Sequence, residues 1–294
     1  MNIIVNNKII IVFFLIVILC SSEELFPQSK EWIEYCDLRD TARSLYRTQK
    51  YDDAKNYYGK MLSLKNKSYE KIDLFWYVCC LTYSGSTLEV ESYLLEFVQS
   101  FEFEYRYIND LYALLHTQPY WYKIDSIAKI NDNTKNYTMI DSLVIMANLD
   151  MDVRRGLAQY SINYVDSINE EKLKKLIALY GFPTWKLVGR EGARNAWLIA
   201  QHGTQDFRKW YFEYYKQAVE EKNADIKYYA YLIDRIRLYE GIPQLFGTQG
   251  SRTQLLPVQD VENLNDRRET VLLPPLDLSK ITISNHLPEK TKMR

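Results

Sequence analysis

Apolar residues recur at intervals of three or four positions along most of the chain, a spacing that places them on one face of an α-helix. The first such sets are Leu38, Ala42 and Leu45, followed by Ala54, Tyr58 and Met61. Asp52 and Asp53 open the second set, and acidic residues suit the first turn of a helix because its N-terminus is electropositive. The pattern predicts a mainly α-helical protein that begins with a pair of helices.

A weaker copy of this pattern follows 38 residues later. Trp76, Cys80, Tyr83 and Ser92 then take the places of Leu38, Ala42, Leu45 and Ala54. Both units resemble tetratricopeptide-like helical hairpins, although in the second unit Glu96 departs from the pattern. Residues 108–115 and 122–130 are predicted to form a third, degenerate pair of helices. Such repeats stack into a concave surface that binds peptides, so residues 30–130 are interpreted as a tetratricopeptide-like region with a protein or peptide partner. Alternatively, these helices only support the second half of the chain.

The N-terminus has the pattern of an export signal. Residues 9–19 form an unbroken apolar run after Lys8, and at ~1.5 Å per residue the run is too short for the ~30 Å hydrocarbon core of a membrane. The small residues that follow suit cleavage, so residues 1–22 are predicted to be a signal peptide and the protein to be periplasmic or envelope-associated. The alternatives are lipidation at Cys20 and an uncleaved amino-terminal anchor, either of which would attach the chain to a membrane.

A polar, turn-rich segment at residues 131–137 predicts a boundary, followed by a second domain at residues 138–277. Helices are predicted there at 142–160, 169–179, 191–202, 207–220 and 224–240, with Asp206 suited to the N-cap of the fourth. Residues 244–257 predict a short β-hairpin with strands at 244–248 and 253–256 around Gly250. The expected fold is mainly α: tetratricopeptide-like helical hairpins, then a helical domain with one small β-hairpin.

Short clusters of unusual residues punctuate the second half in a fixed order. They are residues 180–183, 188–189, 201–203, 234–236, 247–249, 267–268 and 272–275. This order closely resembles a bacterial family known only as domain of unknown function 6624, over about residues 145–277. The resemblance implies an Asp-x-x-x-Arg element at Asp150 and Arg154, with Met151 in place of the usual Gln, and it makes His202 and Asp206 family landmarks. It implies no reaction, because the family has no established activity.

Composition narrows the classes of function. With 37 basic and 38 acidic residues the chain is nearly neutral, which argues against a nucleic-acid partner. Residues 278–294 are locally basic and are interpreted as a solvated tail. The 25 tyrosines indicate either an interaction surface or core packing with the hydroxyl at the rim. No feature indicates an oligomeric state.

The sequence predicts neither a metal site nor a cofactor. The three histidines are widely separated, and the cysteines show no CxxC or Cys/His ligand spacing. Cys36, Cys79 and Cys80 are therefore predicted to be buried free thiols.

Two functions remain open at this stage: a binding module that uses the helical repeats, or a hydrolase or group-transfer enzyme. In the enzyme, His202 would act as acid or base, Asp206 or Asp234 would orient it, and Arg235 with Arg268 would hold an anionic group. The candidate ligand-binding residues are Asp150, Arg154, Arg235, Gln244, Thr248, Gln249, Arg267 and Arg268. A structural explanation also exists for His202, since a cation stabilises the last turn of a helix.

Overall fold

The structure is a computed structural model that describes residues 30–64, 70–86, 89–251 and 253–287. These residues are mainly helical, which confirms the expected fold class. The predicted signal peptide and Cys20 lie outside the described residues. In the described ranges, no helix has both the length and the apolar character needed to cross a membrane.

The first half is built from successive helices. They are α1 (Lys30–Arg47), α2 (Tyr51–Ser63), α3 (Lys71–Tyr83), α4 (Val90–Val98), α5 (Arg106–Leu115) and α6 (Trp121–Asp132). The helices of the first two predicted hairpins pack against each other, α1 on α2 and α3 on α4. Ala42 and Ala54, the predicted small residues of the first hairpin, are fully buried there. The third pair is looser, because α5 packs mainly on α3 and α6 on α4.

The second half continues with longer helices. They are α7 (Tyr137–Arg154), α8 (Ile162–Tyr180), α9 (Trp185–His202), α10 (Gln205–Glu220) and α11 (Ile226–Tyr239). Helix α7 begins at the predicted boundary because the side chain of Asn136 accepts a hydrogen bond from Met139 N. Helix α8 begins seven residues earlier than predicted, since Ser161 caps it in the same way. Helices α7, α8 and α9 pack against one another, while α10 packs on α11.

The prediction that Asp206 caps α10 is wrong. Thr204 is the N-cap, and its hydroxyl accepts a hydrogen bond from Phe207 N. The helix thus begins two residues earlier than expected, which moves Asp206 into its first turn, where it is exposed.

The small β element differs from the predicted hairpin. Strand β1 (Gln254–Leu255) pairs in parallel with β2 (Thr282–Ile283) from the C-terminal segment. Residues 244–248 form no ladder with residues 253–256, because the side chain of Gln244 itself bonds to Gln249 N, Gln249 O and Leu256 O. A short helix α12 (Leu264–Thr270) and a 3₁₀ turn (Leu278–Lys280) lie between the strands.

The prediction of a solvated tail from residue 278 is also wrong for its first part. Thr282 N and Ser284 N donate to the backbone oxygens of Thr253 and Leu255, so this segment is bonded to the domain. Residues beyond 287 lie outside the described ranges.

Buried side chains form one hydrophobic cluster in each half and a smaller one around Phe246 and Leu273. Cys36, Cys79 and Cys80 are buried, as predicted, and none of them forms a disulfide bond within the described residues. The tyrosines divide between the core and the surface. Tyr58 and Tyr211 are fully buried, whereas others, such as Tyr122, are largely exposed.

A buried ion network joins the two halves. Arg190 of α9 pairs with Glu70, Glu102 and Asp225, and Lys227 of α11 also pairs with Glu70. Burial opposes ionisation of Glu70, but Lys227 and Arg190 outweigh it and hold the pKa of this carboxyl well below its ordinary value. The network fixes α9 and α11 against the first half.

Gly189 allows a second contact between the halves. It interrupts α9 with φ 69° and ψ 177°, a conformation reserved almost entirely for glycine. A Cβ at this position would lie 2.5 Å from Cδ of Glu104, whose carboxylate accepts a hydrogen bond from Glu191 N. A carboxylate from the first half therefore caps the longer part of α9, the helix that ends at His202.

Candidate functional site

Three mutually packed helices bring together the residues around His202. Asp150 and Arg154 lie one turn apart near the end of α7, Asp166 lies in the first turns of α8, and His202 ends α9. Fully buried small residues of α9, Ala196 and Ala200, allow close packing at this point. The polar ends of three helices therefore meet at one place.

His202 is held through its Nδ1 atom. This atom lies 2.9 Å from Asp150 Oδ2 and 3.0 Å from Arg154 Nε. When Nδ1 carries the proton it donates to Asp150, and when it does not it accepts from Arg154. In the described part of the chain, Nε2 of His202 forms no hydrogen bond. A ring fixed at one nitrogen by a carboxylate, with the other nitrogen open to a ligand, is suited to proton transfer.

Asp150, the acidic partner of this histidine, is buried, and Asp166 nearby is partly buried. Asp150 is 1% exposed, and it also pairs with Arg154 at 3.2 Å. Arg154 pairs in turn with Asp166 at 2.6 Å. Burial raises the pKa of Asp166 above its ordinary value, although Arg154 and His202 oppose that shift. Asp166 thus extends the hydrogen-bonded chain from His202 to α8.

Two further arginines meet at the backbone of Gln201. Its carbonyl oxygen accepts a hydrogen bond from Arg208 Nε at 3.1 Å and another from Arg235 Nη1 at 3.3 Å. Neither guanidinium forms an ion pair in the described residues. Burial, followed by the charge of Arg235, lowers the pKa of Arg208 to about 10. Burial and the charge of Arg154 lower the pKa of Arg235. Three arginines therefore lie within electrostatic reach of one another beside His202.

The same cluster contains buried polar atoms that lack partners. Both polar atoms of the Gln201 side chain and Nε of Arg235 are buried and form no hydrogen bond. Asn169 Oδ1, one helical turn from Asp166, is likewise unpaired. The other unpaired buried side-chain atoms in the described residues are tyrosine hydroxyls. Unpaired buried polar groups are costly and rare, so their concentration here calls for a ligand or water.

The remaining candidates form a separate cluster around residues 244–249. Asp234 is fully buried, and its carboxylate accepts hydrogen bonds from the backbone of Leu245, Phe246 and Thr248 and from the Thr248 hydroxyl. Burial raises the pKa of Asp234, although these backbone donors oppose the shift. Gln244 and Gln249 complete the loop by bonding to each other. These groups are satisfied within the fold and make no contact with His202.

Arg267 and Arg268 fasten the same loop. Arg268 donates to the carbonyl oxygens of Phe246, Gly247 and Pro274, and burial lowers its pKa to about 10. Arg267 donates to Leu245 O and pairs with Asp260. These two adjacent arginines thus donate hydrogen bonds to backbone oxygens within the second half of the chain.

The candidate residues predicted from the sequence therefore fall into two groups in the structure. The structure brings together Asp150, Arg154, His202 and Arg235, and it places Asp234, Gln244, Thr248, Gln249, Arg267 and Arg268 in the loop cluster. Asp206 does not orient His202, whose Nδ1 contacts are Asp150 and Arg154. Sequence reasoning missed Asp166, because no helix was predicted over residues 161–168. It also missed Arg208, although its position in the first turn of the helix that follows Gln201-His202 was a usable signal.

The first half offers a different kind of surface. A cleft of about 720 Å³ crosses α2, α3 and the start of α4, and its lining includes Lys55, Gly59, Lys60, Tyr77 and Glu89. It therefore spans both predicted hairpins and presents an aromatic ring between charges of both signs. Across the described ranges, no group of three or more His, Cys, Asp or Glu residues is arranged to hold a metal ion.

Comparison with known proteins identifies the second half. The sequence model of a family described as a family of unknown function, DUF6624, matches residues 137–286. This range begins at the first residue of α7 and includes strand β2. No curated protein and no solved structure matches the chain.

Proposed function

The chain belongs to the family of unknown function DUF6624, and we propose that it is an exported envelope protein whose helical first half binds a protein or peptide partner. The observation that supports this proposal is the cleft across α2, α3 and α4. Its volume of about 720 Å³ suits a short peptide segment. Lys60 and Glu89 at its lining match a partner that carries both charges, and Tyr77 supplies an aromatic contact.

Gly59 provides a direct test of the cleft. It lies in the middle of α2, and a Cβ there would meet the Tyr77 hydroxyl at 3.4 Å, which is van der Waals contact. Gly59→Ala is therefore tolerated and favoured by helix propensity, whereas Gly59→Leu extends into the cleft. The experiment is crosslinking and capture from the native envelope with the wild-type protein and both variants. A partner retained by Gly59→Ala and lost with Gly59→Leu supports the proposal. Identical capture by all three proteins contradicts it.

Export has its own test. The apolar run at residues 9–19, followed by small residues, supports cleavage near Ser22. Fractionation of a chain tagged at its C-terminus, with sequencing of the mature N-terminus, should recover a processed protein outside the cytoplasm. Cytoplasmic recovery with Met1 intact contradicts export.

A second candidate function is acid–base catalysis at His202, and the contact between His202 Nδ1 and Asp150 favours it. Asp150 orients the ring through Nδ1, which leaves Nε2 to accept or return a proton during hydrolysis or group transfer. A substrate screen of esters and phosphoesters tests this function. His202→Gln should lower any activity found by about 10²–10⁴-fold, the usual contribution of a general acid or base. An activity that persists in His202→Gln excludes this role.

A further inference from the structure

Two arginines beside His202, Arg208 and Arg235, lack a carboxylate partner in the described residues. Arg208 is 4% exposed; its Nε and a nitrogen of Arg235 donate to the same neutral carbonyl oxygen, and its Nη1 donates to the side-chain oxygen of Gln205. In most folded proteins, buried guanidinium groups pair with carboxylates, because an uncompensated buried charge is strongly unfavourable. Arg190, in the same helix as His202, shows the usual solution, since it has three carboxylate partners. Arg208 and Arg235 have none in the described residues.

The polar groups around them complete a binding site. Gln201 is 3% exposed, and its side-chain nitrogen and oxygen are both unpaired. Arg235 Nε is an unpaired buried donor, and Asn169 Oδ1 is an unpaired buried acceptor near Asp166. The cluster thus offers positive charge, free donors and free acceptors together.

We propose that Arg208, Arg235 and Gln201 form a binding site for a phosphate group, either free phosphate or a phosphate monoester. Guanidinium groups match the oxygens of phosphate through paired hydrogen bonds, and a bound dianion compensates the charge that the fold leaves unpaired. Free phosphate fits better than sulfate because the hydrogen phosphate dianion carries a hydroxyl that can donate a hydrogen bond to the unpaired amide oxygen of Gln201, whereas the sulfate dianion carries none. This site lies in a different half from the hairpin cleft, so the two proposals can fail independently.

The test is calorimetric titration of the full chain with inorganic phosphate in a buffer of fixed ionic strength. We expect saturable binding to one site, weaker binding of sulfate, and a loss of affinity of about tenfold or more in Arg235→Gln. Arg235→Lys keeps the charge but loses the paired geometry, so its affinity should lie between the two. Arg194→Gln is the matched control, because Arg194 is an exposed arginine of α9, and it should bind phosphate like the wild type. Competition by glycerol phosphate or by vesicles containing phosphatidic acid then distinguishes a soluble source from a lipid headgroup.

Melting temperatures separate a binding role from a structural one. Without phosphate, Arg235→Gln should melt no lower than the wild type, since it removes a charge that repels Arg154 and Arg208. At the same phosphate concentration, the wild type and Arg194→Gln should be stabilised more than Arg235→Lys, and Arg235→Lys more than Arg235→Gln. Absence of saturable binding, equal binding of sulfate, or equal binding by Arg235→Gln would overturn the proposal.

Discussion

Asp150 and His202 lie 52 residues apart in the sequence, yet Oδ2 of the aspartate is 2.9 Å from Nδ1 of the histidine. The contact exists because α7 and α9 pack closely and each presents a polar residue near its C-terminal end. It replaces the expected pairing of His202 with Asp206 or Asp234. The family domain therefore contains a histidine whose orientation is set by a buried carboxylate.

The first prediction compares the two aspartates. Asp150→Asn removes the negative charge of a buried carboxylate that pairs with both His202 and Arg154. It should therefore lower the free energy of unfolding by ~1–3 kcal/mol. Asp206→Asn should leave the melting temperature unchanged, because Asp206 is exposed in the first turn of α10. Urea unfolding of both variants checks this. Equal changes in the free energy of unfolding of the two variants would show that the contacts of Asp150 do not stabilise the fold.

The second prediction distinguishes the loop cluster from the site. Arg268→Ala removes a buried guanidinium from the oxygens of Phe246 and Pro274, which should cost about 2–4 kcal/mol. His202→Ala should cost less than about 1 kcal/mol, since one side of the ring is free of protein partners. The measurement is urea unfolding, with Trp197→Ala as the packing control. The account is wrong if His202→Ala unfolds the domain as readily as Arg268→Ala.

The third prediction concerns Gly189. Gly189→Ala should destabilise the protein by ~2–4 kcal/mol, because it adds a clash with Glu104 to an unfavourable backbone conformation. Gly156→Ala is the matched control: φ is 71° there, but nothing lies within 4 Å, so the cost should be only ~1–2 kcal/mol.

A double-mutant cycle isolates the clash from the strain. Combining Gly189→Ala with Glu104→Ala should recover part of the lost stability, since the second change removes the obstructing side chain. Strictly additive losses would show that Glu104 does not determine the need for glycine.

The fourth prediction concerns the ion network between the halves. Glu70→Gln leaves Arg190 and Lys227 without their shared partner and should cost ~3–5 kcal/mol. The control is Glu171→Gln, which breaks an exposed pair with Lys175 and should not change the melting temperature measurably.

The pH dependence of this effect has a definite sign. The pKa of Glu70 is lower in the folded protein than in the unfolded chain, where it is about 4.3. Its stabilising contribution is therefore complete above about pH 5 and declines as the pH falls below about 4. The stability difference between the wild type and Glu70→Gln should shrink in that range. A difference that grows on acidification would contradict the assignment.

The helices could be predicted from the sequence because each buries an apolar stripe at helical spacing. Their starts were less certain, since Ser161, Thr204 and Asp206 can all cap a helix and only the tertiary structure selects among them. Of the predicted β-hairpin only the turn forms, with an antiparallel bridge between Gly250 and Leu255, because the side chain of Gln244 satisfies backbone groups that a longer strand would otherwise bind. A side chain that takes the place of a strand in this way cannot be recognised from the spacing of apolar residues in the sequence.

The candidate site was predicted only in part for a related reason. Asp150, Arg154 and His202 could be found as landmarks, but their contact depends on helix packing that no local pattern shows. Asp234 and Arg268 were predicted to be site residues because they belong to the clusters of unusual residues in the second half. In the fold, such groups also serve buried loops, where every backbone donor and acceptor needs a partner.

The central claim is that ligand binding occurs at the His202 cluster and not at the Asp234 loop. Nitrogen-15 NMR of the labelled protein during a phosphate titration tests it most directly. The account predicts saturable shifts of the Arg235 Nε–H and His202 ring signals. The Nε–H signal of Arg237, which is bonded to Pro243 O on the same helix, and the Phe246 and Thr248 amides should stay in place. Unchanged Arg235 and His202 signals, or shifts confined to the loop around Asp234, would contradict it.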